Sequence, residues 1–206
     1  MFDNLLLAEL PSLTEWVWAD YRLAVLLTVV IPLVLIVWAF VRRAEMIQQL
    51  LTIYWRVASL LAITVYLMIA ALPISFVSAL ASRILIPISL WFWVDLNEEL
   101  NEMQPSLLKT AFLSWRWAVT LYNVVGAILF VPSVRCAFLS RPELIEQESC
   151  RIWLDPPWRF REIFHANLTP QFLGFLAVVG LVIYLLCLLY FVLVKLRRQG
   201  RSATGY

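Results

Sequence analysis

The sequence predicts an all-α, polytopic helical membrane protein with four transmembrane helices, or five in an alternative interpretation. Of its 206 residues, 63% are hydrophobic and only 15% are charged, whereas soluble domains are about 45–50% apolar and about 25% charged. A small soluble domain must expose many of its residues, so it cannot hide this much apolar surface. Five Gly and no Gly-rich or Ser-rich tract leave no flexible linker, which indicates a single integral membrane domain over residues 1–206.

The first element is predicted to be an interfacial lead-in over residues 1–20. This stretch has four acidic residues and no basic residue, so it lacks the positive region of a cleaved signal peptide. Its leucines, followed by Trp16 and Trp18, are typical of a segment that lies at the headgroup level. The first span is therefore expected to be retained.

The first predicted span covers residues 23–41. These nineteen uncharged residues reach about 28 Å as a helix, close to the hydrocarbon thickness of about 30 Å. Pro32 lies inside the run and predicts a kink, and Arg42 and Arg43 end the span.

Residues 57–94 allow two interpretations. In the favoured one, residues 57–82 form a single span kinked at Pro73, and residues 84–94 form an interfacial or re-entrant segment. In the alternative, two spans cover about 50–72 and 74–94, and Arg83 lies near mid-membrane. The single span is preferred because the reversal at 72–75 contains no Gly, Asn or Asp.

The rest of the chain alternates loops with two further spans. Residues 95–106 carry four carboxylates, and Leu96, Leu100 and Met103 recur at helical spacing, which predicts a short amphipathic helix in a solvated loop. Residues 117–134 and 172–194 are the remaining predicted spans, and the loop 135–171 lies between them.

The distribution of basic residues bears on orientation. With four spans, Arg and Lys divide eight against eight between the two sides, and with five spans they divide nine against six in favour of a cytoplasmic C-terminus. Basic residues are more numerous after the first helix than before it, which places the N-terminus outside in both arrangements. After the second span the two arrangements disagree.

Arg83 and Asn123 are the candidate polar residues within the membrane. Arg83 either caps a span and reaches to lipid phosphates, which is the preferred interpretation, or lies at mid-depth and serves a cavity, partner or ligand. Because none of the predicted spans contains Asp or Glu, no intramembrane ion pair is expected for Arg83. Asn123 is expected to form a hydrogen bond between helices.

The candidate contact surface for a partner lies in the loop 135–171. There Pro156 and Pro157 stiffen a short amphipathic segment of residue types that are enriched at protein interfaces. The candidate contact residues are Trp153, Trp158, Arg159 and Phe160.

Several functional classes are not expected. A net charge of +2 with scattered basic residues gives no reason to expect a nucleic-acid partner, and three Cys with one His are too few for the common structural metal and haem sites. No catalytic motif is present, so we expect no enzyme activity, no catalytic residue, no metal and no cofactor. Cys136 and Cys150 are expected to stay reduced in the four-span arrangement, whereas five spans would put them where a disulfide forms.

Three stretches carry a resemblance: YWRVASLLAITVYLMIAALP, SLWFWVDLNEELNE and WLDPPWRFREIFH. Together they resemble an uncharacterised family of polytopic membrane proteins from cyanobacteria, a domain-of-unknown-function family. The resemblance implies a bacterial plasma or thylakoid membrane and carries over no functional residue.

Three functions are compared on this basis. The leading hypothesis is a non-enzymatic membrane protein whose partners are the lipid bilayer and other membrane proteins, photosynthetic complexes among the candidates, which it binds and helps to assemble or stabilise. The alternatives are a small transporter or channel subunit that uses Arg83 for an anion, and a pigment or quinone binder.

Overall fold

The structure is a computed structural model that describes residues 2–202, with side chains described for residues 13–198 and 200–202. All regular elements in this part of the chain are helices. Five of them are long and apolar enough to cross a membrane, which confirms the all-α polytopic class. These five spans, numbered 1 to 5 in chain order, are Leu13–Val41, Glu45–Ile69, Ile74–Trp91, Leu107–Phe138 and Pro170–Arg198.

The helices are named in chain order. They are α1 (Phe2–Val25), α2 (Ile31–Val41), α3 (Glu45–Ile69), α4 (Ile74–Trp91), α5 (Val94–Glu102), α6 (Leu107–Phe130), α7 (Arg141–Glu146), α8 (Glu148–Arg151), α9 (Asp155–Phe164), α10 (Pro170–Tyr190) and α11 (Leu196–Gln199). Two π-helical turns, Leu26–Val30 and Phe191–Lys195, join α1 to α2 and α10 to α11, and a 3-10 segment, Val131–Phe138, follows α6.

Span 1 begins earlier than predicted. Its apolar helix already includes Leu13, the first residue whose side chain is described, whereas the expected span began at residue 23. The predicted lead-in is not a separate segment over residues 13–20, because α1 continues through them into the span. The lead-in's earlier leucines lie outside the residues whose side chains the structure describes.

Pro32 makes span 1 irregular, as the sequence predicts. Pro32 has no N–H to donate to the Thr28 carbonyl. The Ile31 N–H donates to the Leu26 carbonyl, so the Leu27 carbonyl also lacks its usual α-helical donor. The π-helical turn lies at this point, and two side chains supply the missing donors. The Tyr54 hydroxyl donates to the Thr28 carbonyl at 2.7 Å, and the Trp115 indole donates to the Leu27 carbonyl at 2.8 Å.

The single span over residues 57–82 is wrong, because α3 and α4 are two helices joined by a tight reversal at 70–73. Ala71 adopts a left-handed backbone with φ +51°. The N–H of Ala71 donates to the Met68 carbonyl at 2.9 Å and that of Leu72 to the Leu67 carbonyl at 3.1 Å. These bonds close the helix as a Schellman motif, in which Ala takes the place of the usual Gly.

The segment 84–94 is therefore not an interfacial one. Most of it belongs to α4, the span with the largest share of buried residues. Small side chains on one face let α4 pack closely against α3 and α6. The Ser78 and Thr64 hydroxyls, for example, are joined by a buried hydrogen bond of 2.6 Å between α4 and α3.

The predicted amphipathic helix is confirmed as α5. Leu96 and Leu100 are fully buried in the main core, whereas Glu98 and Glu99 are exposed. The C-terminal tail lies against the start of this helix, where the N–H of Val94 donates to the Arg201 carbonyl at 3.2 Å. The α4–α5 connection and the C-terminal tail thus share one side of the bundle.

A cap, defined as residues 131–169 and beginning with the 3-10 end of span 4, covers the opposite side. A disulfide between Cys136 and Cys150 closes it. Both cysteines belong to a second core cluster that also contains Phe76 of α4 and Phe130 of α6. The cap therefore lies on the same side as the 70–73 reversal.

Candidate functional site

Arg83 is at the middle of α4 and is buried, with 9% of its surface exposed. Its Nη2 donates to Asp20 Oδ2 at 2.5 Å, so the two side chains form an ion pair between spans 3 and 1. A guanidinium at this position in a membrane is costly unless an acceptor accompanies it. Asp20 is that acceptor.

Tyr122 of α6 fixes the Asp20 carboxylate from a third span. Its hydroxyl donates to Asp20 Oδ1 at 2.8 Å and to the Asp20 carbonyl at 3.0 Å. The rings of Tyr122 and Phe130 lie 5.4 and 5.8 Å from the Arg83 guanidinium carbon, within the range of cation–π attraction. One polar cluster thus joins spans 1, 3 and 4.

Gly126 makes room for this cluster. A Cβ at position 126 would overlap Arg83 Nη1, so any larger residue must push the guanidinium away. The glycine is needed for the close approach of the α4 arginine to the α6 backbone.

The expectation that no carboxylate is available to Arg83 is wrong. It followed from starting span 1 at residue 23, which left Asp20 outside the membrane. The sequence did contain a signal, since no Gly or Pro lies between residues 12 and 31 and nothing there ends a helix. Arg83 lies at the middle of α4 and pairs with Asp20, so it does not cap the end of a span as the preferred interpretation expected.

Arg116 is a second buried arginine, which the sequence analysis placed at a span boundary. It belongs to α6 and is only 3% exposed. Its guanidinium carbon lies 3.6 Å from the centre of the Trp91 ring. Its Nε and Nη2 are buried without a hydrogen-bond partner among the described residues.

Asn123 is buried, but its hydrogen bond differs from the expected one. Its amide donates at 2.7 Å to the carbonyl of Val119, one turn earlier on the same helix. The expected hydrogen bond between helices is therefore not the one that the structure shows for this amide.

Three of the four candidate contact residues pack within the protein. Trp153 lies edge-on to Phe130, with ring centres 4.7 Å apart. The Trp158 indole donates to the Ile69 carbonyl at the end of α3 at 3.2 Å. Phe160 lies edge-on to Tyr66, at 6.5 Å. These rings anchor the cap to the bundle.

Arg159, the fourth candidate, is exposed and donates to Glu162 at 2.8 Å. Ile163 and Phe164 of the same helix are 65% and 66% exposed. We call Arg159, Glu162, Ile163 and Phe164 the α9 face. It carries exposed apolar residues that the sequence analysis did not single out.

The expectation of two reduced thiols at Cys136 and Cys150 is wrong in this structure. It depended on the four-span arrangement, and five spans move the cap to the same side as the start of span 1. That side is the expected outside, where disulfides persist. The pair joins the 3-10 segment to α8.

The fold and these sites define a multi-pass helical membrane protein with an internal ion pair and a disulfide-closed cap. The chain belongs to the family described as Protein of unknown function (DUF3177), whose model matches residues 14–204. No curated protein and no solved structure gives a significant match.

Proposed function

We propose that this protein is a non-enzymatic integral membrane protein that binds other membrane proteins and helps to assemble or stabilise them. The observation that supports this is the α9 face on a rigid cap. The disulfide and the inward-facing aromatic rings constrain the cap, and a constrained surface loses less entropy on binding.

The composition of the α9 face favours a protein partner over a lipid surface. Helices that bind anionic lipid surfaces present Lys and Arg on their polar side. Here the charge of Arg159 is offset by Glu162. An exposed apolar pair beside a balanced ion pair is typical of protein interfaces, in which apolar cores adjoin polar rims. The proposed occupant is an extramembrane loop of another membrane protein.

The test is affinity isolation after gentle solubilisation, with quantification of the co-isolated proteins. The variant Ile163→Ser/Phe164→Ser removes the exposed apolar area and Arg159→Ala removes the charge. The matched control is Leu107→Ser, because Leu107 is also a large exposed apolar residue (79%) but lies on the opposite side of the bundle. We expect partners recovered with the wild type and the control to be lost with the α9 variants.

Equal recovery with all variants would overturn the proposal, and so would the absence of any co-isolated membrane protein from the wild type. Trp158→Ala is a poor test, because Trp158 donates to the Ile69 carbonyl and anchors the cap. Its loss would disturb folding and binding together.

The anion-transporter alternative loses its main support. Arg83 already pairs with Asp20, so a transported anion would have to displace a resident carboxylate. The pigment or quinone hypothesis rests on composition alone, and no feature of the described residues favours it.

A further inference from the structure

The two buried arginines differ in one respect. Arg83 has Asp20 as a counter-ion, whereas Arg116 has only the face of the Trp91 ring. A cation–π contact does not replace the hydrogen bonds that a buried guanidinium loses on leaving water. Two of the Arg116 nitrogens are buried without an acceptor among the described residues. Arg116 is therefore a cation without an anion.

No carboxylate among the described residues forms an ion pair with Arg116. The helical segments that pack most extensively against α6 are α2, α4, the first π-helical turn and the 3-10 segment. None of these contains Asp or Glu, and neither does α6 itself. Asp20, which contacts α6 through Tyr122, is already occupied by Arg83. The described residues therefore supply no anion for Arg116.

The features beside Arg116 indicate what kind of anion it is. Trp91 is the last residue of α4, and its ring contacts the exposed Trp117 ring with centres 4.6 Å apart. Tryptophan at the end of a membrane-spanning helix, as Trp91 is, is typical of the headgroup level of a bilayer. A shallow groove on the outer face of α6 begins at Trp117, and it is lined by Trp117, Ala118, Thr120, Leu121 and Val124.

The one hydroxyl in this groove is already engaged. The Thr120 hydroxyl accepts from the Trp91 indole at 2.9 Å and donates to the Arg116 carbonyl at 2.7 Å. The groove therefore offers apolar contact, and the buried Arg116 guanidinium lies beneath the Trp91 ring, which contacts Trp117 of the groove. This combination matches an amphiphile with an acyl chain and an anionic head.

We propose that Arg116 binds the phosphate of an anionic phospholipid whose acyl chain lies in the α6 groove. The planar guanidinium matches two phosphate oxygens, which an ammonium group does not. Basic sites between membrane helices bind lipid phosphates in this way. Binding requires the half-buried Trp91 ring to shift and uncover the guanidinium edge.

The test uses the purified full-length protein in mild detergent, with thermal unfolding and native mass spectrometry. The added probes are phosphatidylglycerol, a neutral glycolipid with the same chains, and inorganic phosphate. With the wild type we expect phosphatidylglycerol to raise the unfolding midpoint by several degrees and to appear as one retained lipid. We expect no shift from the glycolipid or from inorganic phosphate.

The variants separate the role of Arg116 from a general charge effect. Arg116→Met should lose both the shift and the retained lipid. Without lipid it should be no less stable than the wild type, because it removes an unpaired buried charge. Arg116→Lys keeps the charge without the fork and should bind phosphatidylglycerol at least tenfold more weakly. The control is Arg56→Gln, which removes an exposed arginine of span 2 and should behave as the wild type.

Each contrary result overturns the proposal. An unchanged phosphatidylglycerol shift in Arg116→Met removes Arg116 from the site, and equal binding by Arg116→Lys removes the bidentate recognition. An equal shift from inorganic phosphate shows a free-anion site. A wild type that retains no lipid but co-isolates a protein lost in Arg116→Met shows that the anion is a partner's carboxylate.

Discussion

The ion pair between Asp20 and Arg83 predicts a large and specific coupling. Asp20→Asn keeps the shape and the hydrogen-bonding oxygen of the side chain but leaves the Arg83 charge without a counter-charge. The Asp20 and Arg83 side chains are 25% and 10% exposed, so solvent screens their interaction little. Breaking such a buried pair from one side costs about 3–5 kcal/mol, and we expect a loss near 3 kcal/mol, or about 150-fold in the unfolding equilibrium.

The assay is a double-mutant cycle of Asp20→Asn and Arg83→Met. The free energy of unfolding is measured in mixed micelles by tryptophan fluorescence. Because the double variant has neither charge, it should recover most of the loss, and a coupling energy of about 2–3 kcal/mol is expected. Additive effects, with a coupling energy near zero, would refute the pairing across spans 1 and 3.

Three further predictions follow from single residues. Gly126→Ala should displace the buried Arg83 guanidinium and lower the free energy of unfolding by about 1–3 kcal/mol. The control is Gly180→Ala, whose added Cβ would lie 3.5 Å from its nearest neighbour and which should be neutral or stabilising in the same unfolding measurement. Ala71→Gly removes the strain of a residue with a Cβ in the left-handed backbone region, and it should raise the free energy of unfolding by up to about 1 kcal/mol. A lower free energy of unfolding would contradict the Schellman geometry. The pKa of Glu143 is lowered because its carboxylate accepts a backbone N–H at the start of α7. The stability that this carboxylate contributes is therefore present at neutral pH and lost as the pH falls through the lowered pKa. The loss should be measured as lower amide-exchange protection factors in α7 at acid pH, after correction for the intrinsic exchange rate, and it should be absent in Glu143→Gln.

Sequence reasoning located most of the membrane-spanning apolar runs because their hydropathy is unambiguous. It failed at the reversal between α3 and α4 because apolar residues run through it without a break. The reversal depends on Ala71, which adopts a backbone conformation that usually indicates Gly. The buried serines of α4, such as Ser75, Ser78 and Ser82, carried the missing signal, since small residues at helical spacing favour a closely packed span.

The polar sites were harder to predict from the sequence than the membrane spans. Arg83 was identified as a notable residue, but its partner Asp20 is 63 positions away and belongs to a helix whose start was misplaced. Arg116 flanks an uncharged run, and residues in that position usually end a span. Only the packing of α4 on α6 shows that it is buried beneath Trp91. Charge patterns in sequence do not reveal which helices become neighbours.

Five spans, rather than four, underlie every site described above, and one accessibility measurement tests this directly. Single cysteines replace the exposed residues Glu45, Gln104 and Glu146 in a Cys187→Ala background, and an impermeant maleimide is applied to intact cells without reductant. Five spans predict that positions 45 and 104 share one side of the membrane and that position 146 lies on the other. The five-span fold would be contradicted by the opposite pattern. In that pattern position 104 lies on the other side of the membrane from position 45, and position 146 lies on the same side as position 45.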